Sequence, residues 1–147
     1  MTGEPSPNLK TMSIYSNWAK STIRYSDLDP NGHVNNGAIN AFFEDGRVRF
    51  RNDRMLKLGD EILTGFALVK FTVEYLAPLY FPGSVDVGTV VTRIGRSSFS
   101  LGQGIFSDGT CVATAEVITV SFDPKSKHSQ KLTPELRTIL RDSSIKV

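Results

Sequence analysis

The chain of 147 residues has one cysteine, one tryptophan, two histidines and almost no excess charge. A single thiol, Cys111, rules out an internal disulfide, and such sparse cysteine points to a reducing, cytoplasmic compartment. Cys111 sits in a strand-like stretch and reads as a buried free thiol. Lys and Arg total 17 against 15 Asp and Glu, a net charge of +2. That surplus is too small for a polyelectrolyte, and no basic surface interleaved with aromatics accompanies it, so no nucleic-acid partner is expected. The late cluster of Lys125, Lys127, Lys131, Arg137, Arg141 and Lys146 reads as a solvated face. The opening MTGEPSPNLK has no apolar run behind its charges, so neither a secretory signal nor a membrane span is expected. No G-x-S-x-G elbow is present, and Cys111 lacks a convincing partner, which argues against a serine or thiol nucleophile.

At this length, 39% apolar residues suffice for one self-supporting core. We expect a flexible segment over residues 1–13 and a single domain over 14–147. The densest stretch is RYSDLDPNGHVNNGAINAFFEDGRVRF, Arg24 to Phe50. It opens as a loop crowded with Asp27, Asp29, Asn31, His33, Asn35 and Asn36. It continues with Ile39, Phe42, Phe43, Gly46 and Phe50, the spacing of a helix with one buried face. Glu44, Arg47 and Arg51 fall on the other side, Asp45 precedes Arg49 by four, and Gly59 is a plausible stop. A helix over roughly 37–58 would be about 33 Å long.

The remainder reads as strands. Residues 14–25 form a weakly patterned one, anchored by Trp18, Ile23 and Tyr25. Beyond Asp60 and Glu61, Val69, Phe71, Val73 and Tyr75 alternate with Lys70, Thr72 and Glu74. After a Pro82-Gly83 turn, Val85, Val87, Thr89 and Val91 alternate again. Phe99, Leu101 and Ile105 follow on one side of the next strand, where Gly102 and Gly104 suggest a bend or a close approach. Asp108-Gly109 signals a hairpin into 111–122, with Val112, Ile118, Val120 and Phe122 on one face. Thr133, Pro134 and Glu135 read as the start of a short helix carrying Leu136, Ile139 and Leu140. The order predicts an α+β fold: an antiparallel sheet of about five strands closing over one long helix. The edges of such a sheet invite pairing with a second copy.

A loop carrying two carboxylates, an imidazole and several amides at a helix start has three physical uses. Capping of orphan N–H groups accounts for one or two of these residues, Asp27 or Asn35 among them. Calcium binding is suggested because Asp27, Asp29, Asn31 and Gly32 match D-x-[DN]-x-[DN]-G, but Ala38 stands where the twelfth-position Glu is required and no entering helix precedes the loop. Hydrolysis of an activated acyl group is the third use. Free N–H groups at a helix N-terminus stabilise an oxyanion, and a nearby carboxylate serves as nucleophile or base. A thioester suits this arrangement because its leaving thiolate needs neither metal nor strong acid. Asp29 is then the acid, with Asn31 and His33 placed to orient water or tune it.

The run D-L-D-P-N-G-H-V-N-N, Asp27 to Asn36, followed by a helix with Phe43, Glu44 and Arg47 in an F-E-x-x-R pattern, resembles the hotdog-fold acyl-CoA thioesterases of the 4-hydroxybenzoyl-CoA thioesterase type. The strand order agrees with that fold over nearly the whole chain. The resemblance implies that Asp29 is the catalytic carboxylate and that the Asn36 N–H polarises the thioester carbonyl. It also implies that Asn31 and His33 act with Asp29, and that the phosphates of coenzyme A meet Arg93, Arg96, Ser97 and Ser98. Phe43 is a candidate lining of the acyl pocket, as are Phe42, Phe66 and Leu68, although core packing accounts for each of them as well. Many relatives carry an aromatic residue, often Tyr, where Ile39 stands. The implied protein is a homodimer or homotetramer with sites between subunits, acyl-CoA as substrate, no cofactor or metal, and no membrane partner. A non-catalytic hotdog module that binds acyl-CoA or an acyl carrier protein is the competing reading; it would bind without releasing thiol.

Overall fold

The structure, a computed structural model, describes residues 7–59 and 64–146. Asp60 and Glu61, and residues 1–6 of the expected flexible segment, lie outside the described residues. The strands are β1 (Asn17–Ile23), β2 (Phe66–Tyr75), β3 (Gly83–Ile94), β4 (Ser98–Ser107) and β5 (Thr110–Ser121), with helices α1 (Asn36–Met55) and α2 (Pro134–Asp142). They form one antiparallel sheet in the order β1-β3-β4-β5-β2. This is the hotdog arrangement expected from the sequence, with α1 against one sheet face. No helix among the described residues is long and apolar enough to cross a membrane.

Local sequence sets the pieces. Asp108 and Gly109 both take positive φ, 49° and 79°, the type I′ geometry whose twist matches the β4–β5 hairpin. The α1 stripe of Ile39, Phe42, Phe43, Gly46 and Phe50 is buried throughout. Gly46 allows the close approach of α1 to β3, because a Cβ would lie 2.7 Å from Val87 Cγ1. A 3₁₀ turn, Leu56–Leu58, continues α1 to Gly59 at φ 86°, the stop expected. Arg49 and Asp45 pair at 3.0 Å across one helical turn. The α2 start is also as read: Thr133 accepts from the Leu136 N–H, Pro134 follows, and Leu136 and Leu140 are buried.

The core divides along α1. Ile39, Phe42 and Phe43 meet Val85, Val87, Ile105, Ala113 and Ala115 at one end. Phe50 and Met55 meet Val91, Phe99, Leu101 and Val117 at the other, sealed by Leu132, Leu136 and Leu140. Each fully buried Phe contributes about 1.5–3 kcal/mol relative to exposure. The opposite sheet face carries Leu9 and Tyr15, so the described part of the N-terminal segment packs down. A Cβ on Gly102 or Gly104 would come within 2.6 Å of Leu9 Cδ2 or the Tyr15 hydroxyl, the close approach that those glycines signalled.

Three expectations about faces are corrected. Trp18 is 40% exposed and Tyr25 78% exposed, so neither anchors the core. Period 2 in β1 buries Ile23, as expected, together with Asn17 and Ala19, which turns Trp18 to the outer face beside Tyr15 and Phe106, with ring centroids 5.5 and 5.6 Å away. In β5 the core-facing residues are Ala113, Ala115 and Val117, joined by Val112, while Ile118, Val120 and Phe122 are only half-buried. Both faces of β5 are apolar, so alternation alone could not fix its phase. In β2, Phe71 and Val73 pack against the core as expected, but an irregularity between Leu68 and Lys70 leaves Val69 58% exposed on an edge strand.

Candidate active site

Main-chain bonds fold the loop between β1 and α1 tightly. A 3₁₀ turn spans Tyr25–Asp27, and the buried Asp27 carboxylate accepts from the Arg24 N–H at 2.8 Å and from Arg24 Nη2 at 3.0 Å. Burial works against this charge, but the two bonds and the positive charge of Arg24 outweigh it and hold the Asp27 carboxyl below its ordinary range. Leu28 and Val34 then bridge, Gly32 takes φ 82°, and the Val34 N–H donates to the Leu79 carbonyl at 2.8 Å. That last bond ties the loop to the segment that follows β2.

Asp29 closes this small ring. Its Oδ1 accepts from the N–H groups of Asn31 at 2.9 Å and His33 at 3.2 Å, and its own N–H donates to the His33 carbonyl at 2.8 Å. Asn31 and His33 are thus brought to Asp29 by their backbones. The His33 ring instead stands edge-on to Tyr80, centroids 5.2 Å apart. Asn35 is the N-cap: its Oδ1 accepts from the Ala38 N–H at 2.7 Å, and its own N–H donates to the Asp27 carbonyl at 2.8 Å. That cap leaves the Asn36 and Gly37 amides outside the helical ladder, at the positive end of α1. Both acids of the calcium reading are already committed to N–H donors, and β1, a strand, precedes the loop where that reading needs a helix.

Asp29, His33, Asn36 and Ile39 share one open depression of about 300 Å³, walled opposite by Tyr75 to Leu79. Other expected residues lie elsewhere. Phe43 is fully buried, its ring 5.9 Å from Phe71, so its place is the core rather than this depression. Arg93, Arg96, Ser97 and Ser98 occupy the far end of β3 and the turn into β4. Leu79 and Gly83 mark the Asp29 end, and Arg93 lies ten strand steps beyond Gly83, about 33 Å at strand rise. One chain does not bring them to Asp29. There the Arg96 and Ser97 carbonyls accept from the Leu132 and Ser121 N–H groups.

Tyr75 and Leu79 line the depression and Tyr80 meets the His33 ring, yet no sequence motif marks them. Alternation makes Tyr75 a core position, whereas its hydroxyl donates to Asn40 Oδ1 at 2.8 Å. Arg47, on the face expected to meet solvent, is half-buried: Nη1 donates to Gln103 Oε1 at 3.1 Å and the guanidinium lies 5.2 Å over the Phe71 ring. Burial lowers its pKa, with Arg51 adding to that and Glu44 opposing it.

Known proteins share this architecture. The profile of the thioesterase-like superfamily matches residues 23–140. An Escherichia coli O6:H1 protein, acyl-CoA thioester hydrolase YbgC, is 30% identical over 107 residues, 69% of this chain and 78% of that protein. A thioesterase from Thermus thermophilus, solved with coenzyme A and zinc, superimposes with a TM-score of 0.78 at 26% identity, covering 89% of this chain and 96% of its own. The PA5185 protein of Pseudomonas aeruginosa gives 0.79 at 26% identity, over 92% and 96%. By the extent of the profile match and the identity to YbgC, the chain belongs to the thioesterase-like superfamily, as a thioester hydrolase.

Proposed function

We propose that the protein hydrolyses acyl-CoA thioesters in the depression between Asp29 and the start of α1. The observation that carries this is the shared lining: the Asp29 carboxylate, one oxygen of which is pinned by two amides, faces the same space as Asn36 at the helix N-terminus. The thioester carbonyl oxygen sits at the Asn36 N–H. Asp29 takes a proton from water as the water oxygen attacks, the oxyanion gathers at the amide, and its collapse breaks the C–S bond. The thiolate recovers the proton from Asp29, giving acid and thiol. Direct attack by Asp29 through an acyl anhydride is the other route. The substrate class is supported by the name of the E. coli relative and by coenzyme A in the Thermus structure. The single half-buried thiol supports a cytoplasmic location.

A second copy completes the site. The outer edge of β2 is unpaired among the described residues, and Lys70, Thr72 and Glu74 line it as an exposed series. Antiparallel pairing of two copies about Thr72 sets Lys70 of each opposite Glu74 of the other. It also covers Leu68 and Val69, and sets the Phe66 end of the second β2 beside Tyr75. Phe66 pairs with Ser121, whose N–H is held by Ser97, so Arg93, Arg96, Ser97 and Ser98 of the second copy arrive at the Asp29 end of the first. They then stand where the phosphates of coenzyme A extend from the depression.

The test is thiol release over short, long and aromatic acyl-CoAs, for the native protein and for Asp29→Asn. Hydrolysis by the native protein and its loss in the folded variant are expected. Binding of acyl-CoA without thiol release would make the protein a binding module instead, and native turnover in Asp29→Asn would remove Asp29 from the mechanism.

A further inference from the structure

We infer that Tyr75 is a substrate-binding residue, its phenol oxygen accepting a hydrogen bond from an amide N–H on the thiol arm of the substrate. This deepens the reading of the site given above and rests on it for the identity of the ligand. Tyr75 is the last residue of β2 and lines the same depression as Asp29 and Asn36. It is 41% exposed, so the core is not what holds it there. Its hydroxyl proton is committed to Asn40 Oδ1 at 2.8 Å, and Asn40 rides on α1 one turn after Asn36. A phenol that has given its proton away offers only lone pairs to the remaining space. What it recognises must therefore carry an N–H or O–H donor.

Ile39, on the α1 wall of the depression, has no polar atom beyond its backbone, so the phenol supplies polar recognition that this position lacks. The acyl chain of an unsubstituted thioester offers no donor. The arm that carries the sulfur does: a pantetheine unit contains two secondary amides, whether it ends in coenzyme A or in a carrier protein. The bond therefore selects for the arm and is indifferent to acyl length.

The experiment measures binding of uncleavable thioethers to the full chain and to Tyr75→Phe: S-alkyl-pantetheine, the same probe with its amide nitrogens methylated, and S-alkyl-CoA. Tyr75→Phe is expected to weaken binding of the parent probe and of the CoA probe roughly fivefold to tenfold, the range of one hydrogen bond, and to leave the methylated probe unaffected. Asn40→Ala, which frees the hydroxyl, is expected to shrink the difference between native and methylated probes. Equal weakening of all three probes, or none, would overturn the assignment. Comparing the pantetheine and CoA probes shows whether the nucleotide adds affinity, which separates a free coenzyme from a carrier-borne arm. Because thioethers are not cleaved, a native protein that shows the Tyr75 effect but releases no thiol from thioesters would remove the hydrolase reading alone.

Discussion

Asp29 and His33 are joined twice through the main chain: the Asp29 N–H donates to the His33 carbonyl at 2.8 Å, and the His33 N–H donates back to Asp29 Oδ1 at 3.2 Å. The carboxylate is therefore aimed by backbone geometry, with the imidazole turned toward Tyr80. His33→Ala and Asn31→Ala, which keep those N–H groups, are expected to lower kcat/KM by less than tenfold. Asp29→Asn removes the acid itself and is expected to cost about 10²–10⁴-fold. Steady-state thiol release on all three variants checks this. A loss in His33→Ala as deep as that in Asp29→Asn would give the ring a direct catalytic part.

Asp27 stands two residues earlier yet does different work. Its carboxyl is held below its ordinary range by Arg24, so its ionised form favours the folded state. A group of this kind contributes stability at every pH above its unfolded value, about 3.9, and loses it as pH falls through the lower folded value. Because the Arg24 side chain is largely exposed, the contribution is modest. Asp27→Asn is expected to reduce stability by about 1–2 kcal/mol at neutral pH. The gap to the native protein should close as pH falls below about 4. Thermal melts of both proteins from neutral to strongly acidic pH check it, and a gap that widens on acidification would contradict the assignment.

How much was legible in the sequence follows from which forces have local signatures. The α1 stripe, the Asp108-Gly109 hairpin and the Thr133 cap were all readable, because each depends on residues within a few positions of one another. In the loop, the capping expected of Asp27 or Asn35 was readable: Asp27 accepts from the Arg24 N–H and Asn35 from the Ala38 N–H. The Arg24 side chain that holds Asp27 was not readable, because no motif announces that contact. Burial phase failed along β5, where both faces carry apolar residues, and at Trp18, where period 2 in β1 turns the small and polar Ala19 and Asn17 inward instead. Tyr75 was missed for a related reason: alternation assigns a face, but β2 is an edge strand, and a face at an open edge is part of a cavity rather than a core. The separation of Arg93 from Asp29 within the chain depends on the length of β3, which no motif spacing encodes.

Gln103 was invisible to pattern reading because it sits among the apolar residues of β4. Fully buried, it donates to the Phe43 carbonyl at 3.1 Å and to Thr89 Oγ1 at 3.0 Å, and accepts from Arg47. Gln103→Leu would leave the Arg47 guanidinium and the Thr89 hydroxyl without this partner under the sheet. We expect a loss of about 1–3 kcal/mol in chemical denaturation. Gly46→Ala, which drives a methyl against Val87 and Gln103, is expected to cost a similar amount through overpacking. A neutral Gln103→Leu would mean that Arg47 finds a new acceptor or opens to solvent.

The edge of β2 gives the sharpest test of assembly, because pairing about Thr72 is self-complementary only with Lys70 opposite Glu74. Lys70→Glu places two acids opposite each other at both ends of the pairing, and Glu74→Lys places two bases there. Like charges directly across an antiparallel pair are unfavourable by roughly 0.2–1 kcal/mol for each contact, so each single variant should raise the dimer dissociation constant about tenfold. The double variant, Lys70→Glu with Glu74→Lys, restores both pairs with their signs exchanged and should dimerise like the native chain. Sedimentation equilibrium measures all four proteins, and thiol release should follow the dimer fraction if the second copy supplies Arg93 and Arg96. A double variant no better than the singles would show that the copies meet in another register or on another face.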